Sequence, residues 1–219
     1  MKNIYLMMLA VLLCFSCNNK QSSSNSDNTD IPNNDSINVE IKEVVNQDSI
    51  NRVKLDEIQV NINKLKNLFN EKYDDMNDIT WIQHKSQPKY ANSRGFYAYI
   101  GKNNSKVWER FVMRYHGDDW LFVKNFKIKV GDNIFNLSYS NVERDNNSEV
   151  WEWIDVEPKD EELEVIENVI SAKEAKIRFE GDQYYKDWAI TQKEVKALTE
   201  THKYFELLKQ QFELEKALQ

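Results

Sequence analysis

The segment that decides the fold is Trp120–Tyr139, WLFVKNFKIKVGDNIFNLSY. Two runs in it, Trp120–Val130 and Asn133–Tyr139, are rich in the aromatic and β-branched residues that are typical of strands. Gly131 and Asp132 lie between the runs, where a tight turn needs residues that tolerate unusual backbone angles. The segment therefore predicts an antiparallel β-hairpin.

The same strand pattern recurs on both sides of this hairpin. All five glycines of the chain lie at the edges of such runs, where turns need tight geometry. The further predicted strands are Ile79–His84, Gly95–Ile100, Lys106–Tyr115, Val150–Val156 and Ala175–Glu180.

Two helices are predicted among and after these strands. Asp160 is expected to cap the first, with Glu161 and Glu162 in its first turn. Thr191 and Glu194 form a capping box for a second helix of about 28 residues. The predicted fold is α+β, an antiparallel sheet of about six to seven strands with a long C-terminal helix, over residues 78–219.

Residues 37–77 are expected to be a helical segment. Leucine, isoleucine and phenylalanine recur in it at alternating spacings of three and four, which is typical of a narrow apolar helix stripe. Three interpretations are open: a helix packed on its own domain, a coiled-coil dimer, or a solvated stalk. The stripe consists of Leu55, Ile58, Ile62, Leu65 and Phe69.

Charge and cysteine usage exclude several classes of function. The formal net charge of −7 gives no basis for broad nucleic-acid binding and predicts repulsion from an anionic membrane, so attachment would need a lipid or a partner. Cys14 and Cys17 are the only cysteines in the sequence. The predicted domain therefore has no disulfide framework and no catalytic thiol.

The N-terminus has the pattern of an export signal. Met1-Lys2-Asn3 is followed by the apolar run Ile4–Phe15, which as a helix would span about 18 Å of a roughly 30 Å hydrocarbon core. The run ends in Cys14-Phe15-Ser16-Cys17, and residues 1–17 resemble a bacterial lipoprotein signal. The resemblance implies removal of residues 1–16, acylation of Cys17 and stable membrane attachment through two or more acyl chains. Cys14 as the acceptor and an unlipidated leader are the alternatives.

Residues 17–36 are expected to form a disordered tether, because Asn, Ser, Asp and Gln dominate them. Asn18 follows Cys17 directly, and in lipoproteins of two-membrane bacteria this implies transfer to the outer membrane. The tether has no acidic run beside the cysteine, which favours the periplasmic face over surface display.

Residues 95–188 resemble a domain found in uncharacterised bacterial lipoproteins and prophage-encoded proteins. The resemblance implies one domain and supplies no mechanism. It is carried by Tyr99–Asn103, Asp118–Phe122, Val150–Trp153 and Phe179–Tyr185.

Two sets of residues are candidates for ligand binding. Trp151 and Trp153 share one face of a strand and could stack on sugars or peptides; the competing interpretation is that they are core or cross-strand packing residues. Arg110 and Arg114 share a strand face too, and their guanidinium groups suit carboxylates or phosphates. The competing interpretation is that both arginines pair with neighbouring acids.

His116 with Asp118 and Asp119 is the one plausible acid–base trio, although two aspartates after a glycine are also ordinary turn residues. The three histidines lack metal-ligand spacing, and the sequence predicts no cofactor. The favoured function is a non-enzymatic binding module with a protein or glycan partner. The alternatives are a hydrolase or transferase of envelope polymers, and a phage-type exclusion or immunity lipoprotein.

Overall fold

The computed structural model describes residues 34–218, with side chains from residue 47 onward. The chain divides into two units, residues 1–41 and 42–219, and the contacts below belong to the second. The predicted signal segment 1–16, Cys17 and the tether up to residue 33 lie outside the described residues.

Residues 34–218 form three helices and ten strands, which confirms the predicted α+β class with antiparallel pairing and a long C-terminal helix. Seven of these strands were predicted, and three were not. The elements are α1 (Asn34–Lys66), β1 (Phe69–Asp74), β2 (Ile79–His84), β3 (Gly95–Lys102), β4 (Val107–Gly117), β5 (Asn125–Val130), β6 (Asn133–Ser138), β7 (Glu143–Asn146), β8 (Val150–Val156), α2 (Asp160–Ile170), β9 (Ala175–Glu180), β10 (Tyr185–Ile190) and α3 (Gln192–Ala217).

Within the described residues the strands form two sheets. Sheet A has the order β1-β2-β3-β4-β8-β7, and sheet B has the order β10-β9-β5-β6. Each sheet buries one face in a shared core, where Phe111 of β4, Ile128 of β5, Ile166 of α2, Ile177 of β9 and Leu198 of α3 are fully buried. The opposite face of each sheet therefore points away from this core.

A second cluster joins α1 to the domain. Ile58 and Ile62 of α1 are buried with Phe69, Ile82 and Tyr204, so the predicted apolar stripe packs on its own domain. Burial raises the pKa of Tyr204 to about 12, which keeps its phenol neutral within this cluster.

The predicted helical segment 37–77 is wrong beyond Lys66, where α1 ends. Phe69 continues the helical spacing, but it begins β1 instead, because β1 pairs with β2 along its whole length from Phe69 opposite His84. The Phe69 ring stacks on Tyr204 at 4.5 Å between centroids. Pairing with β2 therefore determines the conformation at Phe69, although the local spacing of apolar residues is also compatible with a helix.

The predicted strand Trp120–Val130 is wrong in its first half, because β5 begins only at Asn125. Residues 120–124 form an irregular loop in which Phe122 has φ of +54°. A bulky side chain adopts this left-handed conformation only where its surroundings impose it.

The helix ends follow the capping predictions in part. Thr191 and Glu194 form the predicted capping box of α3, since each side chain accepts the other residue's backbone N–H. In α2, however, the cap position is Lys159 and not Asp160, which is the first helical residue. The Glu162 carboxylate accepts a hydrogen bond from the Lys159 N–H at 2.9 Å, so an acidic residue of the first turn satisfies one of the backbone donors at the start of the helix.

Candidate binding face

The outer face of sheet A carries most of the candidate residues. Along β4, Phe111, Met113 and Tyr115 point into the core, so the alternate residues Arg110 and Arg114 point outward. Antiparallel register places Trp153 opposite Arg114 and Trp151 opposite His116. All four predicted ligand-binding residues, Trp151, Trp153, Arg110 and Arg114, therefore share this face.

Neighbouring strands add more aromatic rings to the same surface. Trp108 of β4 lies opposite Gly101, which in turn lies opposite Trp81 of β2. Trp108 and Trp151 are buried, yet neither belongs to the two core clusters formed by the described residues. We call this surface the aromatic face; its rings are Trp81, Tyr97, Tyr99, Trp108, Trp151 and Trp153.

At one end of the aromatic face, the rings of Trp81 and Trp108 pack beside Gly101. The Trp81 and Trp108 rings meet edge to face, with 5.7 Å between centroids. A Cβ atom at Gly101 would lie 2.3 Å from the Trp108 ring, so only glycine lets the indole lie flat against the strand. Lys106 Nζ lies 4.7 Å from the centroid of the same ring, a cation–π contact.

The middle of the face is organised by Asp155. Its carboxylate accepts hydrogen bonds from Arg110 Nε at 2.8 Å and from the Tyr99 hydroxyl at 2.6 Å. Arg110 Nη2 also donates to the Asp155 carbonyl at 2.6 Å. Burial, together with the bond to Asp155, raises the pKa of Tyr99 well above its usual range, so the phenol remains a donor. The Arg110 guanidinium is therefore already hydrogen-bonded within sheet A.

The Arg114 guanidinium, further along β4, is also hydrogen-bonded within the domain. Its side chain is only 6% exposed and donates to the backbone carbonyls of Ser93 and Tyr90 at 2.5 and 3.2 Å. These bonds hold the loop between β2 and β3 against β4, a central strand of the sheet. Arg110 therefore pairs with an acid, Asp155, as the competing interpretation expects, whereas Arg114 donates to loop carbonyls and forms no ion pair with a described acid.

The two tryptophans of β8 differ in accessibility. Trp153 is half-buried, whereas Trp151 is 6% exposed and its indole Nε1 has no hydrogen-bond partner among the described residues. A buried indole N–H without an acceptor costs about 1–3 kcal/mol. This donor is enclosed, so an acceptor from outside reaches it only after neighbouring side chains move aside.

The predicted acid–base trio is not assembled as a cleft. His116 Nε2 lies 3.1 Å from Glu149 Oε2, and Asp118 and Asp119 are exposed in the turn that follows β4. The Asp119 carbonyl accepts the Tyr115 hydroxyl at 2.9 Å, which fixes the turn. Four cavities in the described part of the chain are lined by other residues.

Sequence reasoning missed a buried acid that positions the 120–124 loop. Glu152 is fully buried, and its two oxygens accept the backbone N–H groups of Leu121, Phe122 and Val123 at 2.7–2.9 Å. Arg144 Nε donates to the same carboxylate at 2.9 Å. Phe122 is 54% exposed at the tip of this loop. The inward alternation of β8 was the signal that could have identified Glu152.

Three of the four stretches on which the expected resemblance of residues 95–188 rests meet at this loop. Glu152 belongs to one of them and binds the loop, which belongs to another. Gly181 belongs to a third stretch. A Cβ atom at this position would lie 1.7 Å from the Leu121 carbonyl oxygen, so the backbones can approach this closely only if the residue is glycine. Three of the four stretches therefore form one structural junction.

No protein-family model matches this chain, and neither does any curated protein or solved structure. None of the described helices is long and apolar enough to span a bilayer. The described residues also include no group of three or more His, Cys, Asp or Glu side chains placed to hold a metal ion.

Proposed function

We propose that this protein is a non-enzymatic binding module, held at an envelope membrane by lipid on Cys17, whose aromatic face receives the ligand. The observation that carries the proposal is the shared surface of four tryptophans and two tyrosines on the outer side of sheet A. Aromatic surfaces of this kind bind rings and C–H groups by stacking. In a two-membrane bacterium the expected location is the outer membrane, facing the periplasm.

The polar groups of the face favour an uncharged ligand. Arg110 and Arg114 already donate to Asp155 and to loop carbonyls, so a carboxylate or phosphate would have to displace short intramolecular bonds. The buried Trp151 Nε1 donor can be matched by any oxygen acceptor, and a hydroxyl, ether or amide oxygen does so without bringing a charge into an enclosed place. A glycan strand provides these acceptors together with C–H surfaces, and we therefore propose a glycan as the ligand and a peptide as the alternative.

The binding test uses tryptophan fluorescence during titration with N-acetylglucosamine oligosaccharides and, separately, with an unstructured peptide. Trp153→Ala removes a half-buried ring of the face and is expected to weaken binding about tenfold, the equivalent of roughly 1.4 kcal/mol. Tyr185→Ala, which removes an exposed ring on sheet B, is the matched control. Equal affinity of the parent and Trp153→Ala, with unchanged circular dichroism, would rule out the aromatic face as the site.

The anchor has its own test. Mass spectrometry of the mature N-terminus is expected to find a diacylglyceryl-modified Cys17 as the first residue, and Cys17→Ala is expected to release the protein from the membrane fraction. An unmodified thiol, or a mature chain that begins elsewhere, would remove the lipid anchor from the proposal while leaving the binding test intact.

A further inference from the structure

The outer face of sheet B concentrates positive charge in an otherwise acidic protein. Lys127 and Lys129 on β5 lie directly opposite Arg178 and Lys176 on β9. The alternate residues of the same strands, including Ile128 and Ile177, are buried in the core, so all four cations point outward. We call this surface the cationic face: Lys127, Lys129, Lys176 and Arg178.

Half of this charge is neutralised within the domain. Lys127 Nζ lies 2.8 Å from Glu180, and Arg178 Nε lies 2.6 Å from Asp187. Lys129 and Lys176 are exposed and form no ion pair with any described residue. Like charges directly opposite each other on neighbouring strands destabilise a sheet, so this arrangement opposes folding stability.

Apolar side chains lie beside the two unpaired lysines. Ile134 of β6 lies opposite Lys129 and is 58% exposed. Tyr185 of β10 is also 58% exposed, and the Arg178 guanidinium lies 3.9 Å from its ring centroid. A hollow of about 150 Å³ lies among the four cations, Ile134 and Asp187.

We propose that the cationic face docks on the surface of a bilayer that contains anionic phospholipids. Lipid phosphates supply the negative charge that Lys129 and Lys176 lack in a close ion pair. Tyrosine is enriched at the headgroup level of membranes, where its ring and hydroxyl meet different surroundings. Exposed Ile134 favours a lipid surface over a nucleic acid or another hydrophilic polyanion, which gains nothing from an aliphatic side chain.

The size of the effect indicates what this contact does. Each basic residue near an anionic leaflet improves partition about fivefold, so the two unpaired lysines together give roughly 30-fold. Such a preference orients a domain that is already close to a bilayer, and it leaves the aromatic face of sheet A directed elsewhere. The local charge thus offsets the repulsion expected from the net charge of −7.

The experiment measures co-sedimentation of the full chain with phosphatidylcholine vesicles, with and without phosphatidylglycerol. The ratio of the two partition coefficients cancels any contribution of the N-terminal apolar run, which is identical in every variant. The expected ratio is about 30 for the parent and well below 1 for Lys129→Glu/Lys176→Glu, because reversal turns two attracted charges into two repelled ones. The control Lys203→Glu/Lys216→Glu changes the net charge equally at two exposed positions of α3 and is expected to keep the parental ratio.

A single substitution separates docking from misfolding. Lys129→Glu replaces a like-charge pair by an ion pair with Lys176 and is expected to raise the thermal midpoint while it lowers the vesicle ratio. A parental ratio near 1 would overturn the proposal, as would equal losses in the sheet B variant and the α3 control. Loss of binding together with a lowered midpoint in Lys129→Glu would also overturn it.

Discussion

Replacing Glu152 by glutamine tests whether one buried carboxylate holds the 120–124 loop. Each oxygen of Glu152 accepts two hydrogen bonds: Oε1 from the Leu121 and Phe122 N–H groups, and Oε2 from the Val123 N–H and Arg144 Nε. Glutamine keeps one oxygen and puts an NH₂ donor in place of the other, so in either orientation two donors lose their acceptor.

The expected cost follows from these two lost bonds. A buried donor left without an acceptor costs about 1–3 kcal/mol, and breaking a buried ion pair from one side costs about 3–5 kcal/mol in all. Because the Arg144 side chain is 35% exposed and water can solvate it, the pair is only partly buried, and we expect Glu152→Gln to lower the free energy of unfolding by about 2–4 kcal/mol. That is a large share of the 5–15 kcal/mol typical of a domain.

Urea denaturation at neutral pH measures this loss, and amide hydrogen exchange locates it. Exchange at Leu121, Phe122 and Val123 is expected to accelerate more than exchange in β4. Glu149→Gln, which alters a half-exposed partner of His116, is the control and is expected to change stability by less than about 0.5 kcal/mol. A loss below about 1 kcal/mol in Glu152→Gln would refute the role assigned to the carboxylate.

Three further predictions concern other parts of the domain. The hydrogen bond to Glu109 at 2.9 Å raises the pKa of His202, against the opposing effect of burial. The stabilisation of the fold by this pair is therefore complete below about pH 6.5 and is lost as pH rises through the folded pKa of His202. The free energy of unfolding, measured across this pH range, should decline in the parent but not in His202→Gln. Gly101→Ala places a Cβ against Trp108 and is expected to cost about 1–3 kcal/mol in thermal unfolding; an unchanged midpoint would contradict the close packing described above. Thr191→Ala removes the cap of α3 and is expected to cost about 1 kcal/mol, whereas Thr191→Asp should retain most of the stability.

The strand pattern was readable wherever alternation and turn residues agreed. β2, β8 and β9 were predicted to the residue, because they contain aromatic and β-branched residues and are flanked by polar or turn-forming residues. β7 was not predicted, since its four residues Glu143–Asn146 are all exposed and pairing with β8 alone makes them a strand. The local sequence has no alternation of buried and exposed residues by which such an edge strand could be recognised.

The candidate site was predicted as residues but not as a surface. Period-two spacing placed Trp151 with Trp153 and Arg110 with Arg114, and the structure places both pairs on one face. The sequence could not show that both arginines are occupied, because Asp155 and the Ser93 carbonyl reach them only through strand register and loop closure. Contacts between residues distant in sequence set the chemistry of this face.

The junction around Leu121 has a consequence for the order of folding. Its hydrogen bonds link residues 29–31 positions apart, and its close passage by Gly181 spans a still longer separation. Contacts of such long range close late, after the entropy of forming large loops has been overcome. Phe122 therefore acquires its left-handed backbone conformation and fixed position only once β8 and the β9–β10 turn are in place, so a nascent or partly unfolded chain does not present its ring in this geometry.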